Sequence, residues 1–169
     1  MRRSTRTLAL TLATSAVLAT GLALAPQAQG APVPPARPAE EHCVVRVTGR
    51  DSAGQLQAGD PVCAPTQADA LARSRQGVQA AAADWPIGIH YEGASYTGAT
   101  LTVVGADCTG GWLNMPAGWS NRISSTKHGC PRIRHFDGYY LIGPEQTTLS
   151  PGSNLLSLNN RTSSIQYLP

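Results

Sequence analysis

The sequence predicts an all-β sandwich with a small hairpin-plus-helix cap on its N-terminal side. Three observations carry this. Charged residues make up 14% of the 169-residue chain, well below the usual ~25%. The chain holds 17 Gly and 13 Pro, which disfavours a long helical bundle or coiled coil. From Ile87 to Leu168, short β-branched and aromatic runs alternate with Gly, Pro, Asn and Ser clusters, and helix signals are absent. The length suits one domain with an appendage.

Residues 1–30 read as an export signal. Arg2, Arg3 and Arg6 form a basic start, an apolar run extends from Leu8 to Ala25, and Ala28-Gln29-Gly30 supplies small residues before a cleavage point at Ala31. A membrane anchor is the rival reading, because the run approaches spanning length. Its Thr and Ser residues, and its ending at Pro26 and a small-residue site, favour secretion into the extracellular space. No membrane association is expected of the mature form. Removal of 1–30 takes three arginines and no acids, leaving 13 − 3 = 10 basic residues against 10 acidic ones. The mature charge is therefore near zero, and the loose group Lys127, Arg132 and Arg134 is too small for phosphate recognition. Nucleic-acid partners are excluded on this ground, and a monomer is expected.

Residues 31–42, APVPPARPAEEH, predict a disordered or polyproline tail. The cap spans 43–84. Cys43-Val44-Val45-Arg46-Val47 reads as a strand, Ser52-Ala53-Gly54 as a turn, and a second strand returns to Cys63. Thr66 with Asp69 three residues on predicts a helix N-cap, and Leu71, Ala72, Arg75 and Val78 fall on one helical face. The cap is too small for a core of its own and is expected to pack on the C-terminal unit at 87–168. Cys43, Cys63, Cys108 and Cys130 all lie in the exported part, which predicts two disulfides. Of three connectivities, Cys43–Cys63 with Cys108–Cys130 is favoured because each pair brackets one local unit. A zinc site lacks the short CxxC-type spacing.

The unit at 87–168 is duplicated. Tyr91-Glu92, then Tyr96-Thr97-Gly98, answers Phe136-Asp137, then Leu141-Ile142-Gly143, at an offset of 136 − 91 = 45. Ser120-Asn121-Arg122-Ile123-Ser124-Ser125 answers Asn159-Asn160-Arg161-Thr162-Ser163-Ser164 at an offset of 159 − 120 = 39. Copy one thus carries 45 − 39 = 6 extra residues between its glycine and its polar loop, in the interval holding Cys108, Gly110, Gly111 and Trp112. Gly98 and Gly143 are expected to supply positive φ in a tight fold. Leu101, Val103 and Ile165 are expected to face the core.

These residues resemble the Greek-key motif of the βγ-crystallin superfamily, two of which make one domain. Asn159–Ser164 matches that superfamily's calcium pattern, N/D-N/D-x-x-S/T-S, at every specified position, and copy one departs from it only at Ser120. The resemblance implies a βγ-crystallin-like double Greek-key sandwich and calcium sites shared between motifs. Carried onto this chain, one site would use Asn160, the Arg161 carbonyl and Ser163 with Glu92. The other would use Asn121, the Arg122 carbonyl and Ser124 with Asp137. One carboxylate per site, and an arginine in each loop, imply weak binding of roughly 10⁻⁴–10⁻³ M. The simpler alternative is that the Asn and Ser side chains only satisfy loop backbone. Asn160-Arg161-Thr162 also fits a glycosylation sequon, which an ion at that loop would exclude.

Catalytic signatures such as HExxH, GxSxG and a P-loop are missing from the sequence. His90 and His135 precede the two aromatics at equivalent positions, which argues for a scaffold or surface role rather than an asymmetric active site. A non-enzymatic protein is therefore expected. A secreted protease is a candidate partner, because the resemblance extends to exported crystallin-like metalloprotease inhibitors. In that reading the segment between Cys108 and Cys130, with GWLNMPAGWSN, would form a constrained exposed loop. A membrane-attacking toxin would need a positive charge or an amphipathic stretch that the mature chain lacks.

Overall fold

The computed structural model describes residues 41–76 and 85–169. The export signal, residues 31–40 of the tail, Val78 and the end of the cap lie outside the described residues. His42, placed at the end of the tail by composition, opens the first strand, β1 (His42–Arg50).

The cap does not form a separate layer. β1 runs parallel to β5 (Thr97–Gly105), with Cys43 opposite Leu101 and Val45 opposite Val103. On its other side it takes β2 (Leu56–Ala58) and β3 (Val62–Ala64), both antiparallel. The period-2 pattern of β1 therefore serves two cores. Cys43 and Val45 join the main core between the sheets, whereas Val44 meets Ala64, Ala70 and Val104 under the helix. A strand buried on both faces shows no hydrophobic–polar alternation, which is why Cys43 to Arg46 are all buried.

The helix, α1 (Gln67–Ser74), begins where its cap dictates. Thr66 Oγ1 accepts from the Asp69 amide at 3.1 Å and donates to Asp69 Oδ2 at 2.7 Å. The buried face is Ala70 and Ser74, with Leu71 at its margin, and not the Leu71–Ala72–Arg75 face expected from periodicity. Ala72 and Arg75 are exposed. Small residues let the helix approach the strands closely, and the Ser74 carbonyl accepts from Arg46 Nε at 3.0 Å.

The duplicated unit forms two interlocked Greek keys. Copy one supplies β4 (Trp85–Gly93), β5, β6 (Trp112–Asn114) and β7 (Ser125–His128). Copy two supplies β8 (Arg132–Phe136), β9 (Glu145–Leu149), β10 (Gly152–Asn154) and β11 (Ser164–Leu168). One sheet runs β10-β7-β4-β5-β1-β2, and the other runs β6-β11-β8-β9. The third strand of each copy therefore sits in the other copy's sheet. This exchange makes the duplicated unit a double Greek-key sandwich. Leu101, Val103, Ile123, Ile133, Leu158 and Ile165 are fully buried. The cap also reaches the second sheet, since Trp112 donates its amide to the Gly54 carbonyl at 3.0 Å and its indole N–H to Ala53 O at 3.1 Å.

The disulfides pair Cys43 with Cys63 and Cys108 with Cys130. The stretch between the latter two is not an exposed loop. Gly111, Leu113, Met115 and Trp119 are buried, and within 111–120 only Ala117 and Gly118 are exposed. The apolar residues that suggested a displayed recognition segment are the core contribution of β6 and its exit.

Candidate metal centre

Each motif begins with a strand that ends in a folded tip. In copy one, Ser95 and Tyr96 both have positive φ, 54° and 65°, and Gly98 lies just beyond at 81°. In copy two the equivalents are Tyr140 and Leu141, at 60° and 61°, and Gly143 at 88°. Left-handed backbone at non-glycine residues is costly unless its amides are satisfied. Here they are, and by matching residues in both copies. Asn154 Oδ1 accepts from the Ser95 amide at 2.7 Å, and Asn114 Oδ1 from the Tyr140 amide at 2.8 Å. Ser125 Oγ accepts from the Tyr96 amide at 2.9 Å and Ser164 Oγ from the Leu141 amide at 3.1 Å. The second serine of each Ser-Ser pair is therefore spent on the tip. Sequence reasoning missed Asn114 and Asn154, whose offset of 154 − 114 = 40 is close to that of the polar loops.

Tip and polar loop meet at a corner. The Ser124 amide donates to Tyr91 O at 2.8 Å, which sets loop one beside Glu92. The Ser163 amide donates to Phe136 O at 2.8 Å, which sets loop two beside Asp137. The loops then bind each other, for the Asn160 amide donates to Ile123 O and the Asn121 amide to Thr162 O, both at 2.9 Å. Asn121 and Asn160 take φ of 61° and 55° to do so, a conformation Asn tolerates better than most residues.

The side chains obey the same pairing. Ser124 Oγ lies 3.0 Å from Asn160 Oδ1, and Ser163 Oγ lies 3.2 Å from Asn121 Oδ1. Ser120, the one departure from the pattern, joins the second cluster through Ser163 Oγ at 2.9 Å. Asn160 thus lies with Ser124, whose amide bonds the residue before Glu92, and Asn121 lies with Ser163, whose amide bonds the residue before Asp137. The serines are exchanged relative to the assignment made from the motif. Ser124 belongs with Asn160 and Ser163 with Asn121, because the loops bond each other rather than curling on themselves. A linear motif shows which residues a loop owns but not which loop they face.

Arg122 and Arg161 turn their side chains to the corner carboxylates of their own copies. Arg122 Nη2 is 3.3 Å from Glu92 Oε2, and Arg161 Nη2 is 2.5 Å from Asp137 Oδ2. Each corner so holds one carboxylate, one guanidinium, one carboxamide and a serine hydroxyl, and Ser120 adds a second hydroxyl at the Asp137 corner. The donors these residues offer a cation are oxygens, which fits a hard ion such as calcium and not zinc or copper.

The histidines are elsewhere. His90 and His135 are fully buried between the sheets, 5.8 Å apart edge to face. His90 contacts Tyr167 Oη at 3.0 Å and Thr126 Oγ1 at 3.1 Å. His135 and His128 share Thr148 Oγ1, at 3.3 and 2.8 Å. Burial, with the neighbouring His128, pushes His90 down to about 3, and burial holds His135 well below the ordinary imidazole range. Tyr167 is pushed up by burial. Of the two roles their equivalence allowed, the histidines take the scaffold one.

No protein-family model and no curated protein matches the chain. Among solved structures it is similar to a double mutant of a betagamma-crystallin domain from Clostridium beijerinckii, at 19% identity over 47% of this chain and 94% of that one, with a TM-score of 0.39.

Proposed function

We propose that this chain is an exported, non-catalytic βγ-crystallin-like module that binds calcium weakly at two corners shared between its motifs. The observation that carries the reading is the crossed pairing of Ser124 with Asn160 and of Ser163 with Asn121. It gathers side-chain oxygens from both copies beside each of Glu92 and Asp137. An ion at the first corner would be held by Ser124, Asn160 and Glu92 with the Arg161 carbonyl. At the second it would be held by Ser163, Asn121 and Asp137 with the Arg122 carbonyl. Bound there, calcium would tie the two loops together and add stability by mass action. Two disulfides, and the absence among the described residues of a helix long and apolar enough to cross a membrane, are consistent with an exported mature form.

Non-catalytic action is supported by what occupies the usual acid–base residues. His90 and His135 are sealed in the core, and the carboxylates at the corners carry arginine partners. The alternative of protease inhibition has no exposed constrained loop among residues 111–116 to recommend it.

Calorimetric titration of the purified chain with calcium chloride tests the proposal, beside Ser124→Ala and Ser163→Ala. The expected result is weak binding in the range of roughly 10⁻⁴–10⁻³ M, with each substitution weakening one site. No heat and no rise in melting temperature at about 10 mM calcium would end it.

A further inference from the structure

In each loop the residue after Asn121 or Asn160 is an arginine, and in each copy that arginine closes on the carboxylate heading its own motif. The arrangement occurs twice, in register with the duplication, which a stray surface ion pair would not. The carboxylates are Glu92 and Asp137, the anionic ligands that the two corners offer. Arg122 is further held by the Gly118 carbonyl, at 2.7 Å from its Nη1, and its guanidinium carbon stands 4.8 Å from the Trp119 ring centroid. Those contacts give the guanidinium two further anchors beside Glu92.

Resting on the calcium reading above, we propose that Arg122 and Arg161 are built-in counter-ions, which occupy Glu92 and Asp137 in the metal-free protein and compete with the incoming cation for those carboxylates. A guanidinium offers donors only, so it satisfies the same lone pairs that a calcium ion would take. The two cations cannot share one carboxylate without repulsion across a few ångströms. A corner carboxylate paired with its guanidinium is neutral before a cation arrives. The weakness of binding then comes from the arginines as well as from the small number of anionic ligands.

The test is a calcium titration of the purified chain as wild type, Arg122→Gln, Arg161→Gln and the double variant, by calorimetry, with melting curves in EDTA alongside. Each single substitution should tighten one site by about three- to tenfold, the size expected from removing a partly exposed positive charge. In EDTA the variants should melt no higher than wild type, because the ion pair is lost. Arg161→Lys, which keeps the charge, should bind calcium as wild type does. Equal affinity in wild type and all glutamine variants would overturn the counter-ion role and leave the calcium reading standing. Weaker binding in the glutamine variants would also overturn it, by making the arginines supports of the loops. No calcium heat in any form would overturn both.

Discussion

His90 and His135 are uncharged residues in a place where no charge is welcome. Their partners are the hydroxyls of Tyr167, Thr126 and Thr148, and the imidazole of His128 disfavours a charge on both, as that of His90 does on His135. Folding therefore lowers their proton affinity below the ordinary value of 6.5, for His90 to about 3. The sign comes from linkage. Below pH ~6.5 the unfolded chain binds protons that the folded chain refuses, so stability is full above that pH and falls as acid is added. Melting temperature should be flat from about pH 7 to 8 and decline steadily between about pH 6 and 4; a flat profile through pH 4 would contradict this burial. Thr162 gives a second residue-scale prediction. Its Oγ1 is buried without a hydrogen-bond partner among the described residues, and the equivalent position in copy one is Ile123. Thr162→Val should stabilise by about 1 kcal/mol in a denaturant titration, because it removes an unsatisfied hydroxyl at constant volume. The duplication made the histidines readable as a structurally equivalent pair. Their burial was not readable, since a His before an aromatic fits a surface strand equally well. The two Asn-bearing loops were legible from the motif alone. The serine exchange was not, because it depends on how two loops meet.

At the scale of elements, the cap is a graft onto the edge of the first sheet. β5 would otherwise present a row of unpaired backbone groups, and β1 covers it in parallel. The hairpin and helix of the cap were legible from turn residues, from the Cys43–Cys63 bracket and from Thr66 with Asp69. The parallel pairing was not, because a strand's own sequence does not name its neighbour. The helix face also escaped periodicity, since Ala70 and Ser74 are small and one is polar. Two predictions belong here. Replacing Cys43 and Cys63 together by Ser should cost on the order of 3 kcal/mol, read by denaturant titration, and should loosen the β1–β3 hairpin. Leu101→Ala should cost roughly 2–5 kcal/mol, because Leu101 on β5 is fully buried in the main core. A loss under about 1 kcal/mol would place β5 outside the core.

For the molecule as a whole, the exchange of β6 and β10 between copies means that neither motif can close its sheet alone. The same exchange brings Asn114 and Asn154 to the opposite tips and lets the two polar loops face each other. Core, tips and corners are consequences of one topological fact, and the account of function stands on it. The most direct test is a calcium titration of the ¹⁵N-labelled chain monitored by amide shifts. The account predicts that Asn121, Ser124, Asn160 and Ser163 shift together with Glu92 and Asp137, while β1 and α1 stay still. Shifts confined to one loop, or centred on other acids such as Asp107, would contradict it.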